Sequence, residues 1–394
     1  MISIRTIRRE DVKAVSRLAA EVGFPDRSAE GWHWALFGNP DQSDIPPGLV
    51  AERKGHIVSM IGLQARHFLV HGKPANAVCG HTFISGPDGR GAGFALSRRA
   101  LQSFGGGIAI YTLNNNELAG DFHKRIGLTA WLGRAGRKRI EWPVHSVTMA
   151  AGHALTRLTR NEDVHDWLSK RELFARAPRN LTPFLPKGGS VMTLDPNDTD
   201  DAWLIEDFSA AASLGRRAVP ARSARTYAYQ MADPDAPGRI ALLGLKDGDS
   251  LNGLIQLAIT KPNAFEPAHL EVIDMEVRPD TDSALIVPVL LRAAKSVARR
   301  ARLSRLRLPF SARFDEACYV GTGLRFTRTA NYDPAHAAFG EGAEALEEYW
   351  QPSGYEGDMF FALRNPPAST RAKIRPTAKE KLHGSAWKHQ APEA

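Results

Sequence analysis

Residues 2–7 alternate apolar and polar positions, the period-two pattern of a half-buried strand. Val12, Val15, Leu18, Ala19 and Val22 then recur at helical spacing. A second helix is predicted from Ser28 to Phe37, with Ser28 as N-cap and Pro40 beyond its end. Residues 47–54 and 57–70 read as paired strands joined at the turn dipeptide Lys54-Gly55. A strand over 77–85 runs into a glycine-rich stretch, residues 86–93, and a helix follows over 94–104. A strand over 108–113 and a helix over 116–126 come next, with Gly127 as the helix stop.

The stretch from about 140 to 187 reads as a connector with short amphipathic helices at 165–171 and 172–176, closed by Pro178, Pro183, Pro186, Gly188 and Gly189. A new strand starts at 190–194, and landmarks of the first half then recur. Ser28, Trp32, Trp34 and Pro40 return as Ser223, Tyr227, Tyr229 and Pro234. Gly55 returns as Gly248, Pro87-Asp88 as Pro279-Asp280, and Gly127-Leu128 as Gly323-Leu324. A nearly constant offset over several landmarks points to an internal duplication. The recurring aromatics read first as core or interface packing, with an acceptor-stacking platform as the alternative.

Composition narrows the class. The chain has 394 residues, 43% of them hydrophobic, which suits two or three domains with cores of their own. Its two cysteines, Cys79 and Cys318, are far apart in sequence, so neither a disulfide scaffold nor a metal site is expected. The opening residues lack the apolar run of a signal peptide, and no uncharged apolar stretch of about 18 residues suggests a membrane span. A cytoplasmic protein is the expectation. The net charge is +8. Half of it lies in residues 365–394, where Arg371, Lys373, Arg375, Lys379, Lys381 and Lys388 outnumber Glu380 and Glu393. That proline-bearing tail reads as disordered. The remaining charge gives no ground to expect a nucleic-acid partner.

The chemistry-bearing segment is Arg90-Gly91-Ala92-Gly93-Phe94-Ala95, between a strand and a helix. Glycines let the backbone approach a ligand closely, and the unpaired amides of a helix start attract an anion. No Gly-Lys-Ser/Thr follows, so it is not a P-loop, and the spacing does not fit a dinucleotide fingerprint. The segment resembles the coenzyme A-binding motif of the GNAT N-acetyltransferases, Q/R-x-x-G-x-G/A. Residues 116–128 are similar to that family's later helix, N-x-x-A-x-x-x-Y-x-x-x-G-F. The order of elements agrees over about residues 2–135, and the resemblance is degenerate over about 190–335.

The resemblance implies an α/β (α+β) fold of two tandem GNAT-like domains, each a mixed, mostly antiparallel sheet flanked by helices. It divides the chain into a catalytic acyl-CoA-binding domain (1–140), a helical connector (141–187), a degenerate second domain (188–364) and a basic tail (365–394). The implied reaction is direct transfer of an acetyl or other acyl group from acyl-CoA to a primary amine on a small molecule or peptide, by a monomer or homodimer. The implied cofactor-binding residues are Phe83, Ser85, Arg90, Gly91, Ala92, Gly93, Phe94, Ala95 and Asn116. The family's tyrosine acid falls on His123, and His81 lies on the strand where relatives often carry a basic glutamate. These two are the candidate catalytic residues. A histidine, with an ordinary pKa of about 6.5, is a weaker reservoir of protons at neutral pH than tyrosine at about 10. The alternative for His123 is a partly exposed helix histidine without a role, and for His81 a satisfied strand histidine. Cys79 as nucleophile lacks an activating partner in the sequence. In the second half the loop position reads Asp280-Thr281-Asp282-Ser283-Ala284, whose carboxylates oppose an anion, while Tyr319 occupies the tyrosine position. Two other functions stay open: a non-catalytic acyl-CoA-binding or regulatory module, and a tRNA-dependent aminoacyltransferase of tandem-GNAT type.

Overall fold

The computed structural model describes residues 2–24, 27–42, 44–102, 107–115, 117–158, 180–260 and 267–359. The expected helices at 165–171 and 172–176, the tail and Asn116 lie outside the described residues. The first half runs β1 (Ile2–Thr6), α1 (Val12–Glu21), α2 (Ala29–Phe37), β2 (Gly48–Arg53), β3 (His56–Val70), β4 (Lys73–Ser85), α3 (Ala92–Gln102), β5 (Ala109–Thr112) and α4 (Glu117–Ile126). After α5 (Gly133–Gly136) come β6 (Lys138–Pro143) and α6 (Ser146–Leu158). The second half runs β7 (Val191–Leu194), α7 (Thr199–Ser213), β8 (Ala218–Pro220), α8 (Ala224–Met231), β9 (Ile240–Asp247), β10 (Ser250–Thr260), β11 (His269–Val277), α9 (Ser283–Arg300), β12 (Arg305–Leu308), β13 (Phe326–Thr329), β14 (His336–Phe339) and α10 (Glu344–Tyr349).

These strands build two sheets with matching order. One reads β1-β2-β3-β4-β5-β14, and the other reads β7-β9-β10-β11-β12-β6 from its corresponding edge. Within each run the pairing is antiparallel except at one place, β4 with β5 and β11 with β12. Both sheets are thus mixed and mostly antiparallel, and helices cover them. Val15, Leu18 and Ala19 of α1 pack with Trp32 on Val50, Met60 and Ile84. Ala92, Leu96 and Ala100 of α3 pack on Leu63, Val78 and Ile110. In the second sheet, Val287, Leu290, Leu291 and Val297 of α9 cover Leu257, Leu270 and Leu306.

The duplication is physical as well as textual. Ser28 and Ser223 both cap helices, accepting from the amides of Gly31 at 2.9 Å and Thr226 at 3.1 Å. Gly127 and Gly323 both adopt positive φ, +103° and +87°. Trp32 and Tyr227 are buried in equivalent positions of the two halves. Trp34 and Tyr229 meet across the junction, with ring centroids 5.2 Å apart and the Trp34 indole N–H donating to the Tyr229 carbonyl at 2.9 Å. The paired aromatics therefore serve core and interface packing.

The halves exchange strands. β6, which follows the first half's α4, pairs with β12 in the second sheet. β14, from the end of the second half, pairs with β5 in the first. β8 adds a further second-half strand to β3, from Phe68 to Val70. The segment read as the start of a connector is thus a strand of the second sheet. Buried ion pairs also cross the junction: Arg27 holds Asp233 through two bonds of 3.0 and 2.8 Å. Removing one partner of such a pair leaves a buried charge, at about 3–5 kcal/mol. Asp233→Ala is therefore expected to destabilise the whole chain by several kcal/mol in urea unfolding, with both sheets lost in one transition. Loss of the second half ahead of the first would contradict the interlocking.

Candidate functional site

β4 and β5 pair in parallel only at Ala77–Cys79 with Ala109–Tyr111. Beyond that point β4 continues to Ser85 while β5 ends at Thr112, so the strands part at Gly80 and Thr112. The cause sits in β4. Its register against β3 slips between Met60 and Gly62, and Thr82 takes a left-handed φ of +49°. A β-branched residue there is an outlier, and such bulges bend a strand. His81 lies on this bulge. It is buried, faces Gly62 across the ladder, and its Nδ1 is 3.0 Å from Thr82 Oγ1. A Cβ at Gly62 would come within 2.2 Å of the imidazole, so only glycine leaves room for this ring.

The loop after β4 closes tightly. Gly89 donates to the Gly86 carbonyl at 2.9 Å, and a Cβ at Gly89 would meet the Val58 carbonyl oxygen at 2.6 Å. Gly91 has φ +79° with open space beside it. Its carbonyl accepts from Ala95 at 3.2 Å, which makes it the residue capping α3. A glycine cap brings no side chain to the amides of Ala92, Gly93 and Phe94, and these point out of the helix start. A Cβ at Gly93 would lie 2.9 Å from Phe83 Cζ, so Gly93 lets α3 sit against β4. Phe83 stacks on Phe122 of α4 at 5.0 Å. Arg53 donates to the Arg90 carbonyl at 3.0 Å and steadies the loop. On the α1 side of the same loop a cleft of about 710 Å³ is lined by Arg17, Glu21, Arg53, His56 and Asp88 among others, a mixture of signs that does not select an anion.

The corresponding helix of the second half starts differently. Asp282 caps α9, its carboxylate accepting from the Ala284 amide at 2.8 Å. The Ala284 amide is thus met here by the protein's own anion, whereas among the described residues no side chain caps the start of α3. Tyr319 is buried and donates to the Ser311 carbonyl at 2.7 Å. Cys79 is buried as well, and burial raises its thiol pKa, so it rests as a neutral thiol.

No protein-family model matches the chain, and no curated protein matches it. Solved structures do. A conserved Enterococcus faecalis protein described as a probable N-acyltransferase matches with TM-score 0.54 at 12% identity, over 89% of this chain and 75% of its own. Saccharomyces cerevisiae N-myristoyltransferase with bound myristoyl-CoA and inhibitors matches with TM-score 0.50 at 12% identity, over 84% of this chain and 81% of its own. A GCN5-related N-acetyltransferase from Anabaena variabilis matches with TM-score 0.50 at 11% identity, over 86% and 73%. The chain has the GNAT fold.

Within that fold, Phe83, Ser85 and residues Arg90 to Ala95 gather at one end of β4 and the start of α3. Ser85 donates to the Gly89 carbonyl at 3.3 Å, and Phe94 is exposed beside them. His123, on α4, is buried rather than partly exposed. A residue that the sequence reading misses stands next to it: His336 of β14, with ring centroids 5.2 Å apart. His336 is fully buried, opposite Thr112 of β5, and its Nδ1 lies 3.2 Å from Asn115 Nδ2. No local pattern could place it, because it arrives 213 residues downstream of His123 on the exchanged strand.

Burial, with the neighbouring His336, lowers the His123 pKa from 6.5 to about 4. His123 is therefore neutral at pH 7, a donor through one ring nitrogen and an acceptor through the other. The unfolded chain binds a proton at this position between pH 6.5 and 4 that the folded chain does not. The contribution to stability is thus present above pH 6.5 and lost as pH falls toward 4. His123→Phe is expected to flatten the fall of the melting temperature between pH 6.5 and 4.5, measured by thermal denaturation across pH. An unchanged slope would show that the site is hydrated and the imidazole unperturbed.

Proposed function

We propose that the protein is an acyl-CoA-dependent N-acyltransferase whose cofactor site lies in the first half. The observation that carries this reading is the contrast between the two helix starts. α3 begins with a glycine cap at positive φ and open space around it, whereas α9 begins with a carboxylate already bonded to the Ala284 amide. Aligned amides and the helix dipole favour an anion at the first start. The coenzyme's pyrophosphate suits it, held by the backbone from Gly91 to Ala95 with Arg90 as counter-charge. The parted edge of β4, at Phe83 and Ser85, then offers unpaired backbone to the pantetheine arm and thioester.

The chemistry follows from that placement. A neutral amine attacks the thioester carbonyl, the C–N bond forms and the C–S bond breaks. The nitrogen must lose a proton and the departing thiolate must gain one. His81 and His123 flank the parting of β4 from β5 and are the groups of this chain suited to those transfers. The acceptor is a primary amine on a small molecule or peptide, and acetyl-CoA is the first donor to test. The fold neighbours described as N-acyl-, N-acetyl- and N-myristoyltransferases support acyl transfer as the reaction class.

Gly91→Asp tests the reading by giving α3 the carboxylate that α9 already has. Calorimetry with acetyl-CoA is expected to show saturable binding to the parent chain and at least a tenfold loss in the variant, about 1.4 kcal/mol or more. The melting temperature should fall only modestly, since φ +79° strains any side chain there but Asp less than most. Absence of binding by the parent overturns the proposal. Binding without release of free CoA across a broad amine panel would favour a non-catalytic acyl-CoA-binding module.

A further inference from the structure

Two buried ring nitrogens near the transfer site have no hydrogen-bond partner among the described residues: Nδ1 of His123 and Nε2 of His336. They belong to neighbouring rings from different halves of the chain, with centroids 5.2 Å apart. A buried polar atom without a partner costs roughly 1–3 kcal/mol, so a pair of them at one place calls for a reason. Their setting is specific. Asn115 is 3.2 Å from the other nitrogen of His336 and itself donates to Thr112 Oγ1 at 2.8 Å. Thr112 in turn abuts Gly80, its methyl carbon 3.3 Å from where a Cβ would stand, and Gly80 precedes His81 on the bulged strand. The pair thus adjoins the parting of β4 from β5, where the proposed reaction places the thioester.

We propose that His336 is a positioning residue for His123, holding the ring that takes up the acceptor amine's proton and returns it to the departing thiolate. The inference rests on the acyltransferase reading and deepens it, because it makes the second half part of the first half's site. The proton balance is closed. The amine nitrogen loses one proton as its bond to the acyl carbon forms, the C–S bond breaks, and coenzyme A leaves as a thiol bearing that proton. A lone neutral imidazole cannot supply a proton to a thiolate without becoming an anion. One that has just accepted the amine's proton can, and His123 does both in turn.

The electrostatics suit a transient charge. His123 feels burial and His336, and both lower its pKa. His336 is lowered by burial and by Lys124, and raised by Asp333, which is itself tied to Arg137 through two bonds of 2.6 and 3.0 Å. Both rings rest neutral and become acidic once charged. The lowered pKa makes each ring a weaker base at rest and, once charged, a readier donor to sulfur.

The test uses the full chain with acetyl-CoA and whichever primary amine the parent acylates. The histidine ring nitrogens are followed by nitrogen-15 NMR across pH. His336→Gln should raise the titration midpoint of His123, lower kcat about 10- to 100-fold, and leave acetyl-CoA affinity within about twofold, in line with the usual size of acid–base contributions. The His123→Ala, His336→Gln double variant should be no slower than His123→Ala alone. Should His336→Gln fold poorly, Asn115→Ala provides a second perturbation, expected to act in the same direction with smaller effect. A His123 titration unmoved by either variant overturns the pairing, even where the parent turns over. So does an unchanged kcat and pH profile. Acetyl-CoA binding without turnover on any amine, with the two rings still coupled in titration, refutes the acyltransferase reading and the relay with it.

Discussion

A parallel strand pair with an open outer edge is the constraint from which the rest of this structure follows. β5 pairs with β4 on one side, and its other edge presents unpaired N–H and C=O groups. Such an edge must be covered. Here each half covers the other's: β14 lies on β5, and β6 lies on β12. Neither sheet is complete without a strand from the opposite half, so the duplication is not two beads on a string. The exchange also sets His336 beside His123, since His336 enters the first half only because β14 does.

Beside that junction the second half buries a network of polar groups. Arg222 is buried between Asp274, Glu276 and Glu356, with bonds of 2.7 and 3.0 Å to Asp274. Tyr227 and Ser353 donate to the same carboxylate at 2.7 and 2.8 Å. Burial pushes the Asp274 carboxyl up, and the Arg222 guanidinium outweighs it, so the group stays below the usual carboxylate range. Glu356 goes the other way: burial raises it more than Arg222 lowers it. Buried ion networks add little net stability over an apolar core, but a mismatched arrangement would strand charges. The network therefore specifies how the segments of the second half pack more than how strongly. Arg66 adds to this by reaching across from β3 to the carbonyls of Glu356 and Gly357, at 3.1 and 3.4 Å.

Legibility in the sequence followed the range of the interactions. The helix caps at Ser28 and Ser223, the turn at Lys54-Gly55 and the stop at Gly127 each rest on neighbours a few residues away, and each is found where the sequence pattern puts it. The glycine loop was readable for the same reason, because cap, close approach and positive φ are local demands on residue type. β6 and β14 were not legible. Each is short, and its reason to be a strand is an edge supplied from the other half. Arg139 and Glu141 in β6 break the apolar pattern because they meet Arg305 and Arg307 on a polar sheet face rather than a core. His336 could not be paired with His123 without that exchange, and the sequence left a partly exposed His123 open as an alternative because its cover comes from afar.

The same long-range logic accounts for the unequal halves. A duplicated fold starts with two helix N-termini, each drawing an anion with about half a unit of positive charge. The energetically cheapest way to retire one is a carboxylate at its cap, since that satisfies the amides and removes the field in one step. Asp282 does this at α9, and the salt bridge from Arg278 to Asp280 beside it settles the remaining charge. In the same half Tyr319 turns its hydroxyl to the Ser311 carbonyl. The first half kept the open cap but has a histidine where that tyrosine would stand. His123 is buried there, and the strand the second half contributes places His336 beside it. The carboxylate-capped helix of one half and the adjoining histidines of the other thus belong to one arrangement, made possible by the shared strands.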